Sequence, residues 1–363
     1  MEIVYQIALS MIHGVGPRIS KNLLQKFGTA QAVFDAKYHQ LVQTEGIGEK
    51  TAKAILHTTA LKKAEEQLNF IEKHKIEVLF YTDGQYPKRL RNCIDAPLIL
   101  YYKGSADLNH KRVVGIVGTR NATTYGKGLC KDLLEGLREQ NVLTVSGLAY
   151  GIDAIVHKES LNCDIPTVGV LGHGLDRIYP ASHAELAKKM TKNGGLLTEY
   201  LPGTNPDREN FPKRNRIIAG MADAIVVVEA SAKGGALITA EIANSYNRDI
   251  FAYPGRTTDE YSKGCNFLIK TNRAALIHQA KDLMYYMGWE GALNPEPVKQ
   301  TVLNLNLSKE EQLIANALTE KTLSVDDLQV KLNLQQSKLA VQLLMLEMKG
   351  VIVSLPGKIY KLA

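Results

Sequence analysis

Short apolar runs rich in β-branched residues recur through the middle of the chain, and each one ends in a loop of glycine and polar residues. Six of these runs cover residues 113–117, 142–145, 167–171, 196–198, 224–228 and 250–253, and two further runs, 76–81 and 98–102, precede them. Stretches with helical spacing separate the six runs. Buried strands that alternate with helices predict a parallel α/β sheet. Loops that follow parallel strands gather at one edge of such a sheet, where ligands bind.

The N-terminal 75 residues follow a helical pattern that contains a local repeat. The turns Gly14-Val15-Gly16 and Gly46-Ile47-Gly48 each lead into an amphipathic run. Helix, glycine–apolar–glycine turn and helix is the helix-hairpin-helix pattern, so two such motifs are predicted here. The amides of these turns are suited to a DNA phosphate. The same hairpin pair also serves as packing or protein-contact material, so both roles stay open for this domain.

The C-terminal region predicts a linker followed by a small domain. Asn294-Pro295-Glu296-Pro297 interrupts any helix, and Ser308 with Glu311 forms the capping-box pattern of a new one. Two more helices and a hairpin around Pro356-Gly357 complete the order of a winged-helix domain. Its third helix carries little positive charge, which favours a protein-contact or regulatory role over DNA reading. The predicted organisation is a helical domain over 1–75, a core over 76–290, a linker over 291–306 and a winged-helix domain over 307–363.

Composition narrows the class of protein without deciding it. The 363 residues include 44 Lys and Arg against 37 Asp and Glu, and the formal net charge of +7 mildly favours acidic partners. The four cysteines lie far apart without a CxxC pair, which argues against a zinc site or a disulfide scaffold and favours a reducing compartment. The sequence shows neither a signal-peptide pattern nor an apolar run long enough for a bilayer. We therefore expect a cytoplasmic protein without a membrane partner.

Candidate phosphate-binding residues follow the first two of the six runs. Gly118-Thr119-Arg120-Asn121-Ala122-Thr123 lies between a predicted strand and a predicted helix, where backbone amides and Arg120 are placed for an anion. Ser146-Gly147, after the second run, offers a hydroxyl and an amide for a second phosphate. The first loop has neither the P-loop pattern nor the GxGxxG spacing of a dinucleotide site. This disfavours an ATP- or NAD-driven enzyme, so no cofactor is expected, and histidines without ligand spacing predict no metal.

A second cluster is Phe211-Pro212-Lys213-Arg214-Asn215-Arg216, which combines cations with one aromatic ring. Pro212 is predicted to start a helix, so that Arg214, Asn215 and Arg216 fall in its first turn. Basic residues in that position oppose the helix dipole, which indicates that they serve a ligand. Phe211 is either a core anchor or an exposed ring that stacks on a base. Cations for the backbone together with aromatics for the bases are what single-strand binding needs.

These motifs together resemble one family, the DNA-processing proteins DprA/Smf, over nearly the whole chain. The matching segments are Tyr86-Pro87, 118–123, 146–154, 172–176, Tyr179-Pro180, Glu199-Tyr200, 211–216, 235–240 and Pro254-Gly255. The resemblance implies an extended Rossmann-like core that binds single-stranded DNA without sequence preference. It also implies a homodimer and the delivery of RecA onto strands otherwise covered by single-strand-binding protein. Whether the setting is natural transformation (competence) or general repair stays open.

The resemblance also implies roles for individual residues. The family's Gly-Ser/Thr-Arg-x-x-Ser/Thr loop maps to Gly118, Thr119, Arg120 and Thr123, and its pocket arginines and stacking Phe map to Arg214, Arg216 and Phe211. The candidate DNA-binding residues are Gly118, Thr119, Arg120, Asn121, Thr123, Ser146, Gly147, Arg208, Phe211, Lys213, Arg214, Asn215 and Arg216. The leading hypothesis is a recombination mediator that binds single-stranded DNA and is not an enzyme.

Two other classes of function stay open. The segment 233–241 loosely resembles the Pro-Gly-Gly-x-Gly-Thr-x-x-Glu loop of nucleotide phosphoribohydrolases, in which an acid and an arginine cleave a glycosidic bond. Ala232 and Lys233 precede its glycines instead of the proline, and Glu241 is the candidate acid. Release of free base from nucleoside monophosphates would identify such an enzyme. The other alternative is an interaction scaffold with a vestigial site, which would give no DNA gel shift.

Overall fold

The structure of this chain, a computed structural model, describes residues 2–289, 307–319 and 321–363. The predicted linker over 291–306 lies outside the described residues. Six helices form the N-terminal region: α1 (Glu2–Met11), α2 (Pro17–Phe27), α3 (Ala30–Phe34), α4 (Tyr38–Val42), α5 (Glu49–Leu56) and α6 (Ala60–Lys73). Each predicted glycine turn ends where a helix begins, since Gly16 caps α2 and Gly48 caps α5. The apolar core of these helices extends onto Phe80 and Tyr101 of the neighbouring sheet.

A nine-stranded sheet forms the centre of the molecule. Its strands are β1 (Glu77–Phe80), β2 (Ile99–Gly104), β3 (Val113–Val117), β4 (Leu143–Ser146), β5 (Thr167–Val170), β6 (Gly194–Thr198), β7 (Ala224–Val227), β8 (Asp249–Ala252) and β9 (Ala275–Leu276). They lie in the order β1-β2-β6-β5-β4-β3-β7-β8-β9. All eight predicted runs form strands, whereas the two-residue β9 was not predicted.

The predicted parallel arrangement is confirmed from β6 to β9 and needs a correction at one edge. β1 pairs antiparallel with β2, and β2 pairs antiparallel with β6. The connection between β1 and β2 carries only the four-residue helix α7 (Lys88–Arg91) instead of the long crossover helix that a parallel return requires. The sheet is therefore mixed, with an antiparallel edge against which the N-terminal helices pack.

Helices cover both faces of the sheet. They are α8 (Thr124–Leu137), α9 (Ile152–Asn162), α10 (Ala184–Met190), α11 (Asn210–Met221), α12 (Gly235–Ser245), α13 (Lys263–Lys270) and α14 (Ala280–Tyr286). Alternate residues of β3 separate the two apolar layers: Val114 and Ile116 pack with α8, α9 and α14, while Val113 and Val117 pack with α11 and α12. The helices that follow the adjacent strands β3 and β7 thus leave to opposite faces. A crevice opens at such a switch point.

The C-terminal region has the predicted winged-helix order. It contains α15 (Lys309–Ala317), α16 (Val325–Leu332) and α17 (Gln336–Met348) with the strands β10 (Leu323–Ser324), β11 (Ile352–Leu355) and β12 (Ile359–Leu362). The predicted capping box opens α15, since the Ser308 amide donates to Glu311 over 2.7 Å. An ion pair of 2.6 Å between the buried Arg248 and the partly buried Asp326 joins this domain to the core. In the described ranges, no helix is both long enough and apolar enough to cross a bilayer.

Candidate nucleic-acid interface

A pocket of about 620 Å³ opens at the carboxyl edge of β3, β4 and β7. The loop after β3 contributes Gly118, Thr119, Arg120 and Asn121, and α11 contributes residues from Phe211 to Ile218. The loop after β7 closes the opposite side. The pocket thus occupies the switch-point crevice and brings together the two segments that the sequence singled out, which lie about 90 residues apart in the chain.

Two cations and one aromatic ring stand at the entrance: Arg120, Arg208 and Phe211, here called the pocket mouth. Arg120 is exposed, and its guanidinium carbon lies 5.7 Å from the centroid of the Phe211 ring, which is the range of a cation–π contact. Phe211 is half-buried against Tyr179, with 5.9 Å between the ring centroids. In the part of the chain that the structure describes, neither arginine forms a salt bridge. Both charges therefore remain open to an anionic ligand.

Asp153 and Arg214 line the base of the pocket, and Gly147 packs against both side chains; these three residues are here called the pocket floor. Arg214 is only 3% exposed, and its Nη1 donates to the Gly147 carbonyl over 2.6 Å and to the Val170 carbonyl. Burial lowers the pKa of Arg214 to about 10, an effect that the nearby Asp153 carboxylate opposes. Burial likewise raises the pKa of Asp153, and the Arg214 charge opposes that change. The floor is thus a buried positive charge whose Nη1 is already engaged by backbone carbonyls.

Two glycines allow this packing. A Cβ on Gly147 would collide with the Arg214 guanidinium and with the Asp153 carboxylate. Gly151 has a φ of +75°, and a Cβ there would collide with the backbone of Thr119 and Arg120. The loops after β3 and β4 therefore touch each other, and the Ile152 amide donates to the Thr119 carbonyl over 3.1 Å. This contact holds Arg120 above the floor.

The loop after β3 meets α8 differently from the prediction. Thr123 caps α8, but its hydroxyl donates to Glu229 over 2.5 Å and its amide donates to the same carboxylate over 3.0 Å. The Thr119 amide donates to the Glu229 carbonyl over 2.7 Å. A carboxylate of this chain therefore occupies the N-terminus of α8, where the loop amides were expected to hold a phosphate. Arg120 and Asn121 remain as the polar groups of this loop that are exposed at the pocket.

Ser146 and Gly147 lie inside the molecule. The Ser146 hydroxyl donates to the Ile116 carbonyl over 2.6 Å, and the residue is fully buried at the end of β4. A phosphate contact by this hydroxyl, expected from the sequence, does not fit this position. A strand that ends one residue later than predicted draws Ser146 into the sheet.

Helix α11 begins at Asn210, two residues before the predicted start at Pro212. Arg214 is therefore the fifth helical residue, beyond the first turn, and the argument that it opposes the helix dipole is wrong. The helical period then divides the cluster. Phe211, Arg214 and Asn215 line the pocket, whereas Lys213 and Arg216 do not.

The two remaining cations of the cluster have acidic partners. Arg216 is paired with Glu199 and donates to the Asp95 backbone carbonyl over 2.8 Å, so its guanidinium is engaged away from the pocket. Lys213 is exposed and lies 3.8 Å from Glu209 one turn earlier in the same helix. Exposed pairs of this kind contribute little and exchange readily. The sequence predicted that Arg214 and Arg216 act together as pocket arginines. The structure separates them: Arg214 is buried in the pocket floor, and Arg216 is paired with Glu199 outside the pocket.

The segment that resembles the phosphoribohydrolase loop does not place its candidate acid, Glu241, at the pocket. Glu241 is exposed and pairs with Arg273 over 3.2 Å. Among the described residues that line the pocket, Asp153 is the one acid, and it is committed to the floor. No described feature therefore supports the cleavage of a glycosidic bond.

Sequence reasoning assigned no role to several residues that shape the site. Glu229 directly follows the apolar run of β7. An acidic residue at the carboxyl end of a buried strand could have been predicted from the sequence to lie at the site. Tyr179 and Glu199 belong to segments that match the family, but the sequence predicted no role for them. Their partners, Phe211 and Arg216, come from another part of the chain, so periodicity and spacing alone do not connect them.

Comparison with known proteins identifies the family. A family model described as DNA recombination-mediator protein A matches residues 77–288, which is more than half of the chain. The chain belongs to the DprA/Smf family. Models described as a SAM-like helix-hairpin-helix tandem and as the DprA winged helix domain match residues 7–58 and 298–358. The predicted DprA/Smf fold, with its helical and winged-helix domains on either side of the core, is confirmed.

Individual relatives agree with this assignment. Protein Smf of Synechocystis sp. is 37% identical over 294 residues, which cover 79% of this chain and 73% of the relative. DNA processing protein DprA of Bacillus subtilis is 41% identical over 209 residues, which cover 57% of this chain and 70% of that protein. The crystal structure of DprA from Streptococcus pneumoniae is 31% identical with a TM-score of 0.62, and the match covers 77% of this chain and 95% of that chain.

A second solved relative bears on the ligand. DNA processing protein A from Helicobacter pylori is 27% identical with a TM-score of 0.53, and the match covers 58% of this chain and 94% of that chain. Its structure gave insights into a unique single-stranded DNA binding mode.

Proposed function

We propose that this protein binds single-stranded DNA, without sequence preference, in the pocket at the carboxyl edge of the sheet. The observation that carries this is the pocket mouth: an exposed arginine stacked over a half-exposed aromatic ring, with no acidic partner among the described residues. The ring offers a face for a base and the cations offer charge for the backbone. The single-stranded DNA binding of the Helicobacter pylori relative supports the same ligand class.

The candidate residues divide into contacts and support. We assign direct contact to Arg120, Asn121, Arg208, Phe211 and Asn215, which line the pocket. Gly118 and Thr119 form its wall, and Lys213 is placed for an outer phosphate because its pair with Glu209 is exposed. Gly147 and Arg214 hold the shape of the floor, Thr123 holds the loop through Glu229, and Ser146 joins adjacent strands.

We assign no DNA contact to Arg216. Its guanidinium is bound to Glu199 and to the Asp95 carbonyl, and withdrawing it would leave a carboxylate unpaired in a half-buried position. Removal of one partner from a buried pair costs about 3–5 kcal/mol, so we expect Arg216 to stay with Glu199.

The broader role that we propose is recombination mediation: delivery of RecA onto bound single strands that single-strand-binding protein otherwise covers, by a homodimer that is not an enzyme. The description of the family as a DNA recombination-mediator supports this role. A RecA ATPase assay on strands coated with single-strand-binding protein tests it directly. Addition of this protein should shorten the lag before RecA hydrolyses ATP, and an unchanged lag would rule the role out.

The DNA-binding part is tested by an anisotropy titration with labelled oligothymidylate, a mixed sequence and a duplex of equal length. We expect similar affinity for the two single strands, weaker binding to duplex, and a loss of affinity as salt rises from about 50 to 200 mM. The double variant Arg120→Ala/Phe211→Ala should bind much more weakly. Its matched control is Lys131→Ala/Tyr285→Ala, which alters an exposed lysine and an exposed tyrosine outside the pocket. Equal binding by the two double variants would refute the site.

A further inference from the structure

A second open groove of about 660 Å³ lies beside the pocket and shares Arg120 and Asn121 with it. Its other polar walls are Lys127, on the first turn of α8, and Tyr150, in the loop between β4 and α9. None of the roles assigned above uses these two side chains. Because Arg120 lines both cavities, a flexible strand that leaves the pocket past this guanidinium enters the second groove.

The tyrosine of this groove is presented as a platform. Tyr150 is 52% exposed, and its ring packs edge-to-face on the His183 ring, with 5.2 Å between the centroids and 70° between the planes. His183 is itself held in place, since its Nδ1–H donates to the Leu148 carbonyl over 3.0 Å. A ring that is fixed on one side and open on the other loses little rotational freedom when a base stacks on it.

The lysine of this groove is available for an anion. Lys127 is exposed, and the described residues offer it no carboxylate within salt-bridge distance. Lys131, one turn later on the same helix, lies 3.7 Å from Glu135 and does not line the groove. These two neighbouring lysines therefore differ in the property that matters, which is whether their charge is already paired.

We propose that the second groove continues the single-strand path, so that Tyr150 stacks a further base and Lys127 contacts the phosphate that connects it to the first pocket. This assignment rests on the single-strand binding proposed above and extends it by one aromatic step. The ligand is a single-stranded polynucleotide long enough to occupy both cavities. Arg120 then contacts the backbone where the strand crosses from one cavity to the other.

The length of the oligonucleotide separates the two sites. We would titrate the full-length protein with oligothymidylates of about 4 and about 16 nucleotides, which are the two ends of the range of site size for single-strand binders of the OB fold. Tyr150→Ala should lower affinity for the longer strand by about fivefold or more and leave the shorter strand unaffected. Tyr150→Phe keeps the ring and should keep the affinity. Lys127→Ala should reduce the slope of log affinity against log salt for the longer strand by roughly 0.7.

Matched controls are Tyr285→Ala, at a tyrosine that is 65% exposed outside both cavities, and Lys131→Ala. Neither should change affinity at either length. If wild-type protein binds neither strand, both the proposed function and this second site fail. If it binds both strands and Tyr150→Ala binds them equally well, the second site is wrong while the pocket stands. If Tyr150→Ala loses the same affinity for both strands, Tyr150 stabilises the first pocket instead of stacking a further base. That result also contradicts the second site.

Discussion

The pocket mouth and the pocket floor both contain arginine, and the two regions use it in opposite ways. At the mouth, Arg120 is exposed, lies over an aromatic ring and has no carboxylate partner in the described ranges. At the floor, Arg214 is buried, donates to two backbone carbonyls and lies near Asp153. One arginine is therefore free for a ligand, whereas the other is part of the folded scaffold.

The difference follows from desolvation. A buried charge stabilises the fold only while its partners remain, because removal of one partner leaves the other uncompensated. An exposed charge interacts weakly with its own protein and is free to release counterions when a phosphate arrives. Substitutions at the floor should therefore change stability, and substitutions at the mouth should change binding.

The largest expected effect is on the floor. Arg214→Met removes the donor to the Gly147 and Val170 carbonyls and leaves Asp153 without its neighbouring charge. We expect the free energy of unfolding to fall by about 3–5 kcal/mol. Chemical denaturation measures this, with Arg120→Met as the matched control that should change stability by less than about 0.5 kcal/mol. Equal stability of the two variants would remove the distinction between mouth and floor.

A second test concerns His157, a buried residue whose pKa is influenced by the Arg214 charge of the floor, and it uses pH. His157 is fully buried on α9, and burial, together with the charges of Arg214 and His183, lowers its pKa from 6.5 to about 3. Between these two values the unfolded chain binds a proton at this residue and the folded chain does not. The free energy of unfolding should therefore fall as pH falls from 6.5 towards 3, by about 1.4 kcal/mol per pH unit from this group.

His157→Gln lacks this group, so its free energy of unfolding should fall less steeply with acid than that of wild type. The same substitution at an exposed histidine, His13→Gln, is the matched control for the change of residue type. Denaturation curves recorded at pH values from about 4 to about 6.5, in steps of about half a pH unit, measure the difference. Parallel pH profiles for wild type and His157→Gln would mean that His157 is not a buried neutral group.

The mouth is tested first through its ring. Phe211→Ala should lose about 1–3 kcal/mol of single-strand binding energy, because it removes a stacking surface. The salt dependence of binding should stay as in wild type, since no phosphate contact is lost. Anisotropy titration at several salt concentrations measures both quantities. A large fall in thermal stability with unchanged affinity would instead make Phe211 a core residue, the alternative that its half-buried position next to Tyr179 leaves to be tested.

The smallest expected effect is in the salt slope of the mouth. Arg120→Ala should weaken binding equally for all sequences and lower the slope of log affinity against log salt by roughly 0.7, the value for one phosphate contact on a single strand. The control is Arg138→Ala, at an exposed arginine that ends α8 and pairs with Asp164 outside the pocket. This substitution should leave the slope as in wild type. An unchanged slope in folded Arg120→Ala would exclude a phosphate contact by this residue.

Much of the fold could be predicted from local pattern. The apolar runs that form β3 to β8 are short, β-branched and followed by glycine-rich loops. The sequence therefore predicted both that these runs are strands and that their loops lie at one edge of the sheet. The capping box at Ser308 was readable for the same reason, since both of its partners lie within one turn. The antiparallel edge could not be predicted from local pattern, because β2 pairs with β6, which lies almost 100 residues later in the chain.

The candidate site divides in the same way. Sequence reasoning placed Arg120 and Phe211 at the correct edge, and the structure brings them within 5.7 Å. It treated Arg214 and Arg216 alike because they stand two residues apart in one motif. On a helix that spacing directs two side chains to different sides, and only the position of α11 decides which of them meets the pocket.

What the sequence determined by itself is therefore the order of strands and helices, the location of the loops and the type of chemical groups on them. These properties depend on residues that are neighbours in the chain. The tertiary structure alone decided which charges are free. Glu199, Glu229 and Asp153 reach their partners only when distant strands align, and a cation's freedom depends on the water and the carboxylates around it.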